Sequence, residues 1–165
     1  MNALFYVSGA IAVIAALMVV TRRNAMHALV NLIVSFLAVA GVFWTLGAPF
    51  AAVLQVLVYA GAIMVLFVFA VMILNVGQDR QPGGSPAAWI VPVVLCAVLL
   101  VQFVVAVSGQ DQAGQREVVS PAAVGANLFT TYAIGVEIAS VLLLAGLVAA
   151  FHYGVIPGRL EVRDE

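Results

Sequence analysis

The sequence predicts an all-α integral membrane protein with five transmembrane helices. Three observations carry that expectation. Of the 165 residues, 65% are hydrophobic and 8% are charged, and the mean hydropathy is +1.22, whereas a soluble domain is about half apolar and about a quarter charged. A soluble fold of this size cannot hide so much apolar surface, because small domains leave a large share of what they own exposed. The apolar residues also gather into five runs, each near the ~20 residues needed to cross ~30 Å of hydrocarbon. Finally, the runs lack the short alternating pattern of membrane β-strands. Lipid offers backbone groups no water, so each run must close its own hydrogen bonds as a helix.

The first span, residues 3–20, lies in MNALFYVSGAIAVIAALMVV. Arg22 and Arg23 follow it and no basic residue precedes it, which is the reverse of a cleavable signal peptide. The second span, 26–46, begins after TRRN. The third, 50–76, follows a GAP turn, is longer than a crossing requires and contains Gln55, Tyr59 and Gly61. The fourth, 89–107, follows GQDRQPGGSPAA. The fifth, 131–153, follows SGQDQAGQREVVSPAAVGANLF, in which Ser120-Pro121 reads as the N-cap and first-turn proline of a short helix. Neither an internal repeat nor a soluble second domain is visible, so residues 1–165 are read as one membrane domain.

All six basic residues are arginines. With the N-terminus outside, Arg22, Arg23, Arg80, Arg159 and Arg163 face the cytoplasm and only Arg116 faces out, as the positive-inside rule requires. The C-terminus is then cytoplasmic, and the third and fifth spans run in the same direction. A net charge of −1 and the scatter of the arginines give no patch for a phosphate backbone, so no nucleic-acid partner is expected. The single cysteine, Cys96, lies in an apolar run as a small packing residue. His27 and His152 are read as interfacial, too few to hold a metal, and no nucleotide, flavin, haem or cluster motif is present. Small residues at helical spacing, Gly135 with Ala139 and Gly146 with Ala150, suggest close helix contacts.

Glu137 is the only Asp, Glu, Lys or Arg inside any predicted span. A charged side chain at mid-membrane costs about 2.5–3.5 kcal/mol on insertion scales. Desolvation penalises its charged form, so such a group can take up and release a proton. The plainer alternative is a packing acid paired with a donor on a neighbouring subunit. Ser140, three residues on, shares its face and can bond it or hold a water. Gln55, Tyr59 or water are the other partners within reach of the reading. At a rise of about 1.5 Å per residue, Tyr59 and Glu137 lie at nearly the same depth. In the third span, Gly61 between Ala60 and Ala62 weakens the helix and lets another approach closely. Such a spot can hold a π-bulge; simple close packing is the alternative.

Two stretches, VLVYAGAIMVLFVFAVMILN in the third span and LFTTYAIGVEIASVLLLAGLVAAFH in the fifth, resemble the subunit J family of bacterial proton-pumping NADH:quinone oxidoreductase, respiratory complex I. Its mitochondrial counterpart is NADH-ubiquinone oxidoreductase chain 6. RRNAMHALVNLIVSFLAVAGVF looks like the second span of the same family, and the likeness covers all five spans. The resemblance implies a non-redox subunit of the bacterial inner membrane, without catalytic activity alone. It would be placed in the membrane arm beside the quinone-site subunit, small three-helix subunits and the first antiporter-like subunit. FMN, iron–sulfur clusters and quinone would be bound by other subunits. It also implies a π-bulge near Tyr59 to Val65, a helix that switches between bulged and regular winding, and functional positions at Tyr59, Gly61, Met64, Val65, Phe67 and Glu137. Some relatives carry an acid where this chain has Gln55, which can hold water but not carry a proton. Two rivals stand beside that reading: a free-standing small proton-coupled transporter using Glu137 as its exchange site, and a structural membrane subunit with no proton role.

Overall fold

A computed structural model describes residues 3–22, 24–74, 87–108 and 119–155. Arg23, Arg80, Arg116, Arg159 and Arg163, on which the orientation rests, lie outside the described residues. So do the predicted end of the third span at Val76 and the acids Asp79, Asp111, Glu117, Glu161, Asp164 and Glu165. Every element described is helical. Among the described residues five helices are long and apolar enough to cross a membrane: Ala3–Thr21, Ala25–Thr45, Pro49–Leu74, Ala87–Ser108 and Ala133–Val155. The chain divides into two compact units, residues 1–119 and 120–165, and each is described by itself.

In the first unit, the first and second spans form a hairpin of small residues. Asn24 caps the second span, its side chain accepting from the Met26 N–H at 2.9 Å, which satisfies one of the donors a helix start leaves open. Ile11 and Ala15 of one span pack against Val34 and Ala38 of the other, with Ala12, Leu95 and Leu99 around them. Small side chains let the two backbones approach, the main source of association between helices in lipid. Between them the Ser35 hydroxyl donates to the Ala12 carbonyl at 3.1 Å. A Cβ added to Gly41 would come within 2.9 Å of Ser8 Oγ.

The fourth span closes this bundle with another polar contact. The Gln102 amide donates to the Leu4 carbonyl at 2.7 Å and to the Ser8 hydroxyl. Ser8 is fully buried, so the three residues Ser8, Gly41 and Gln102 lock one level of the bundle. Gly41→Val is therefore expected to lower stability by about 1–3 kcal/mol, the usual range for overpacking a tight contact. At Gly9 an added Cβ meets nothing within 4 Å, so Gly9→Ala is the matched control with no loss. Thermal unfolding of the purified particle in detergent measures both.

The second and third spans are joined by a tight turn. Gly47 has φ 79°, a left-handed conformation that glycine adopts without penalty. Its N–H donates to the Trp44 carbonyl at 3.2 Å, and the next N–H, of Ala48, donates to Phe43 at 3.0 Å. Pro49 then opens the third span, where its missing N–H costs nothing.

The second unit begins with the predicted short helix, Pro121–Phe129. Ser120 caps it by accepting from the Ala123 N–H at 3.2 Å. A three-residue turn, tied by the Tyr132 N–H to the Asn127 carbonyl at 3.0 Å, leads into the fifth span, which starts at Ala133 and runs to Val155. Within this unit an added Cβ at Gly135 or Gly146 meets nothing within 4 Å. The glycines of the small-residue pairs expected to mark close helix contacts thus have open space beside them among the described residues.

Candidate functional site in the third span

The third span is not wound uniformly. Pro49–Leu54 is α-helical, Gln55–Ile63 is a nine-residue π-helix, and Met64–Leu74 is α-helical again. At the junction the Met64 N–H reaches both the Tyr59 and the Gly61 carbonyls, the first being the i→i+5 bond of π winding. The resemblance implied a bulge near Tyr59 to Val65. The π segment found begins four residues earlier, at Gln55, and ends before Met64 and Val65, which are regularly wound.

Gly61 lies inside the segment. A Cβ there would stand 3.3 Å from the Val56 carbonyl oxygen, tighter than most such contacts, and a backbone oxygen cannot turn aside as a side chain can. Glycine removes that crowding, and its weakness as a helix former lowers the cost of leaving the α ladder. Tyr59 places its ring edge-on to Phe36 of the second span, with centroids 5.5 Å apart at 64°. Its hydroxyl and the Gln55 carboxamide make no hydrogen bond to other described residues, so both are free to take one from water or a neighbouring protein. Met64 is 1% exposed, the largest fully buried side chain among the described residues, and sits where the π segment gives way to regular winding. Val65 and Phe67 are each 51% exposed and point away from the chain's own core.

The start of the π segment borders empty space. A cavity of about 440 Å³ opens between the first four spans, with Gly41, Val53, Val56, Leu99 and Gln102 on its walls. The winding of Gln55–Ile63 is thus not clamped on every side by packed neighbours, as a helix in a close-packed interior would be.

Glu137 belongs to the second unit, one turn into the fifth span, and its side chain is exposed there. Ser140 shares its face, but the Ser140 hydroxyl donates to the Glu137 main-chain carbonyl at 2.7 Å. That hydroxyl has spent its hydrogen on the backbone, and only its lone pairs remain for a proton-bearing partner. Among the described residues no group of three or more His, Cys, Asp and Glu side chains gathers to hold a metal ion.

Sequence reasoning did not single out Ser8, Ser35 and Gln102, the polar residues that bond across helices in the first unit, or the fully buried Asn31, which bonds within its own helix. The signal was available: each is a lone polar side chain in an apolar run, and Asn31 and Ser35 are four apart on one helix face.

Comparison with known proteins supplies the family. The family model for NADH-ubiquinone/plastoquinone oxidoreductase chain 6 matches residues 15–153. The NADH-quinone oxidoreductase subunit J of Escherichia coli strain K12 is 53% identical over 156 residues, covering 91% of this chain and 84% of the relative. The subunit of the same name from Pseudomonas aeruginosa is 46% identical, covering 91% and 94%, and that from Rhodobacter capsulatus is 34% identical, covering 88% and 77%. The match runs through the hairpin, the π-wound span and the helix that carries Glu137, and the chain belongs to the NADH-ubiquinone/plastoquinone oxidoreductase chain 6 family.

Proposed function

We propose that the chain is a membrane-arm subunit of bacterial NADH-quinone oxidoreductase, respiratory complex I, in the inner membrane, with its N-terminus outside and its C-terminus cytoplasmic. Its task is to couple electron transfer in other subunits to proton translocation. FMN, iron–sulfur clusters and quinone belong to those other subunits, and this chain contributes no redox group. Its partners are the quinone-site subunit, the small three-helix subunits and the first antiporter-like subunit.

The observation that carries the reading is the π segment Gln55–Ile63, placed in the middle of a span and centred on Tyr59 and Gly61. A helix with two windings close in free energy is a two-state element, and a ligand or partner that favours one winding shifts its population. Met64 is packed in the bundle at the junction, while the near half borders the cavity. Energy released at quinone reduction rearranges the membrane arm and changes the winding between them. The change carries the Tyr59 hydroxyl and the Gln55 amide into or out of line with water, while Val65 and Phe67 present the moving face to a neighbouring subunit. Glu137 belongs to the chain of acids that this water connects, or tunes it, with the Ser140 oxygen as an acceptor beside it. An acid in a membrane helix is expensive and marks a proton route by default.

Purification in a gentle detergent tests the assignment. Co-migration with flavin and iron–sulfur absorbance is the expected result. A lone small particle would instead support a free-standing proton-coupled transporter. Retention of full pumping after Glu137 and Gly61 are replaced would leave only a structural role.

A further inference from the structure

The cavity of about 440 Å³ between the first four spans lies within one half of the membrane. Its wall is formed by Leu4 and Ser8 at the start of the first span and by residues between Leu37 and Thr45 at the end of the second. Residues between Ala52 and Leu57 at the start of the third, and between Cys96 and Ala106 in the second half of the fourth, complete it. Successive crossings run in opposite directions, so all four stretches share the N-terminal side. The stretch from Cys96 to Ala106 rises about 15 Å at about 1.5 Å per residue, half of a ~30 Å hydrocarbon layer. Towards mid-membrane the spans close around Ile11, Ala15, Val34 and Ala38, with Leu95 and Leu99 against them. The course of the fourth span accounts for the gap. Near its start Trp89 meets the His27 ring of the second span, with centroids 4.8 Å apart. Near its end Gln102 donates to the Leu4 carbonyl of the first span at 2.7 Å.

We propose that this cavity holds one acyl chain of a phospholipid, entering between the third and fourth spans from the leaflet on the N-terminal side. The mouth faces sideways: Val53 and Leu57 of the third span and Leu100 and Phe103 of the fourth are exposed, whereas Ser8, Ala40 and Ala52 are buried. In a bilayer that direction holds hydrocarbon tails. The wall offers little that is polar, and among the described residues that line it none is charged. The Gln102 amide is spent on Leu4 and Ser8, its Oε1 is buried, and the Thr45 hydroxyl donates to the Val42 carbonyl at 2.8 Å. Apolar cavities stay free of water and accept apolar guests, and an empty one forfeits the dispersion contacts of its lining. A spanning helix is about 10–12 Å across and runs through both leaflets, but the hollow stops at mid-membrane. A lipid tail stops there too, and its headgroup stays outside the cavity, where it needs no charged residue on the wall. The proposal rests on reading the helices as membrane spans, and not on the coupling role of the third span.

A density map of the native particle in which the chain purifies, at a quality that shows lipid tails, tests the proposal. The expected result is a single unbranched density running past Val53, Leu57, Leu100 and Phe103 into the cavity, joined outside to a phospholipid headgroup. A protein segment in the mouth, whether the fifth span, a neighbouring subunit or a second copy, overturns it. So does a quinone tail in the cavity, or a cavity empty of density. A second measurement reads the same site in a bilayer. The particle is placed in vesicles of phosphatidylethanolamine and phosphatidylglycerol with a trace of phospholipid carrying a diazirine at the end of one acyl chain. Photolysis should label the stretch from Cys96 to Leu99, at the deep end of the cavity. Leu100→Trp, which closes the mouth, should lower that label by about tenfold, the loss of ~1.4 kcal/mol of binding, and leave the label elsewhere on the chain unchanged. Equal labelling of the stretch in both proteins overturns the proposal. Should Leu100→Trp fail to assemble, the native map decides alone.

Discussion

Gly61→Val is expected to lower coupled NADH:quinone turnover by roughly tenfold in an intact complex, the effect of ~1.4 kcal/mol on a conformational equilibrium. The size follows from the position. An added Cβ would stand 3.3 Å from the Val56 carbonyl, and valine places two methyl groups beside that oxygen. Overpacking of this kind costs about 1–3 kcal/mol, and the π-wound state bears it, because the contact is measured in that state. Gly61→Ala keeps the Cβ and omits the methyl groups, so it should lose less. NADH oxidation by an artificial acceptor that bypasses quinone should stay normal in both variants, if the redox centres lie in other subunits as proposed. Wild-type quinone reduction by assembled Gly61→Val would remove the winding of this segment from the mechanism.

Glu137→Gln is the second large effect. Glutamine keeps the shape and the hydrogen-bonding ends and removes the exchangeable carboxyl proton, so assembly should survive while pumping suffers. Coupled turnover should fall by about tenfold, equivalent to ~1.4 kcal/mol in the barrier, and fewer protons should be moved per electron in proteoliposomes. Glu137→Asp, which retains the carboxyl group, should recover part of both. An unchanged proton ratio in Glu137→Gln would assign this acid to packing or to pairing across a subunit boundary.

The two variants probe features that differ in how far the residues announced them. The spans were legible from hydropathy alone, because lipid leaves helices as the only outlet for backbone groups. The observed ends fall within about two residues of the predicted ones wherever the described residues reach, in keeping with how loosely helix ends are defined. Ser120 and Pro121 identified the short helix for a local reason: a capping hydroxyl and a proline at the first turn act over three residues and need no tertiary context. The winding of the third span was different. Gly61 between two alanines is equally suited to close packing and to a π turn, and only the family resemblance separated them. Even so, the segment begins at Gln55 rather than near Tyr59, a start the residues could not announce, because nothing about Gln55, Val56 or Leu57 as residue types sets them apart from an ordinary α-helix. Glu137 was conspicuous as a lone acid, but what surrounds it is a property of an assembly that its own helix does not encode. Ser8 and Gln102 were passed over because isolated polar residues become informative only once their partners, ninety-four positions apart in sequence, are known.

The π segment also fixes what kind of mechanical signal the third span can send. A regular helix turns about 100° with each residue. Were Gln55–Ile63 to shed a single residue from its wide winding, everything beyond Met64 would rotate by about that angle as one rigid screw. Leu66, Phe67 and Ile73, all exposed at the outer face of this span, would then swing to a different neighbour with little travel along the axis. A subunit gripping that half would feel torque rather than a push.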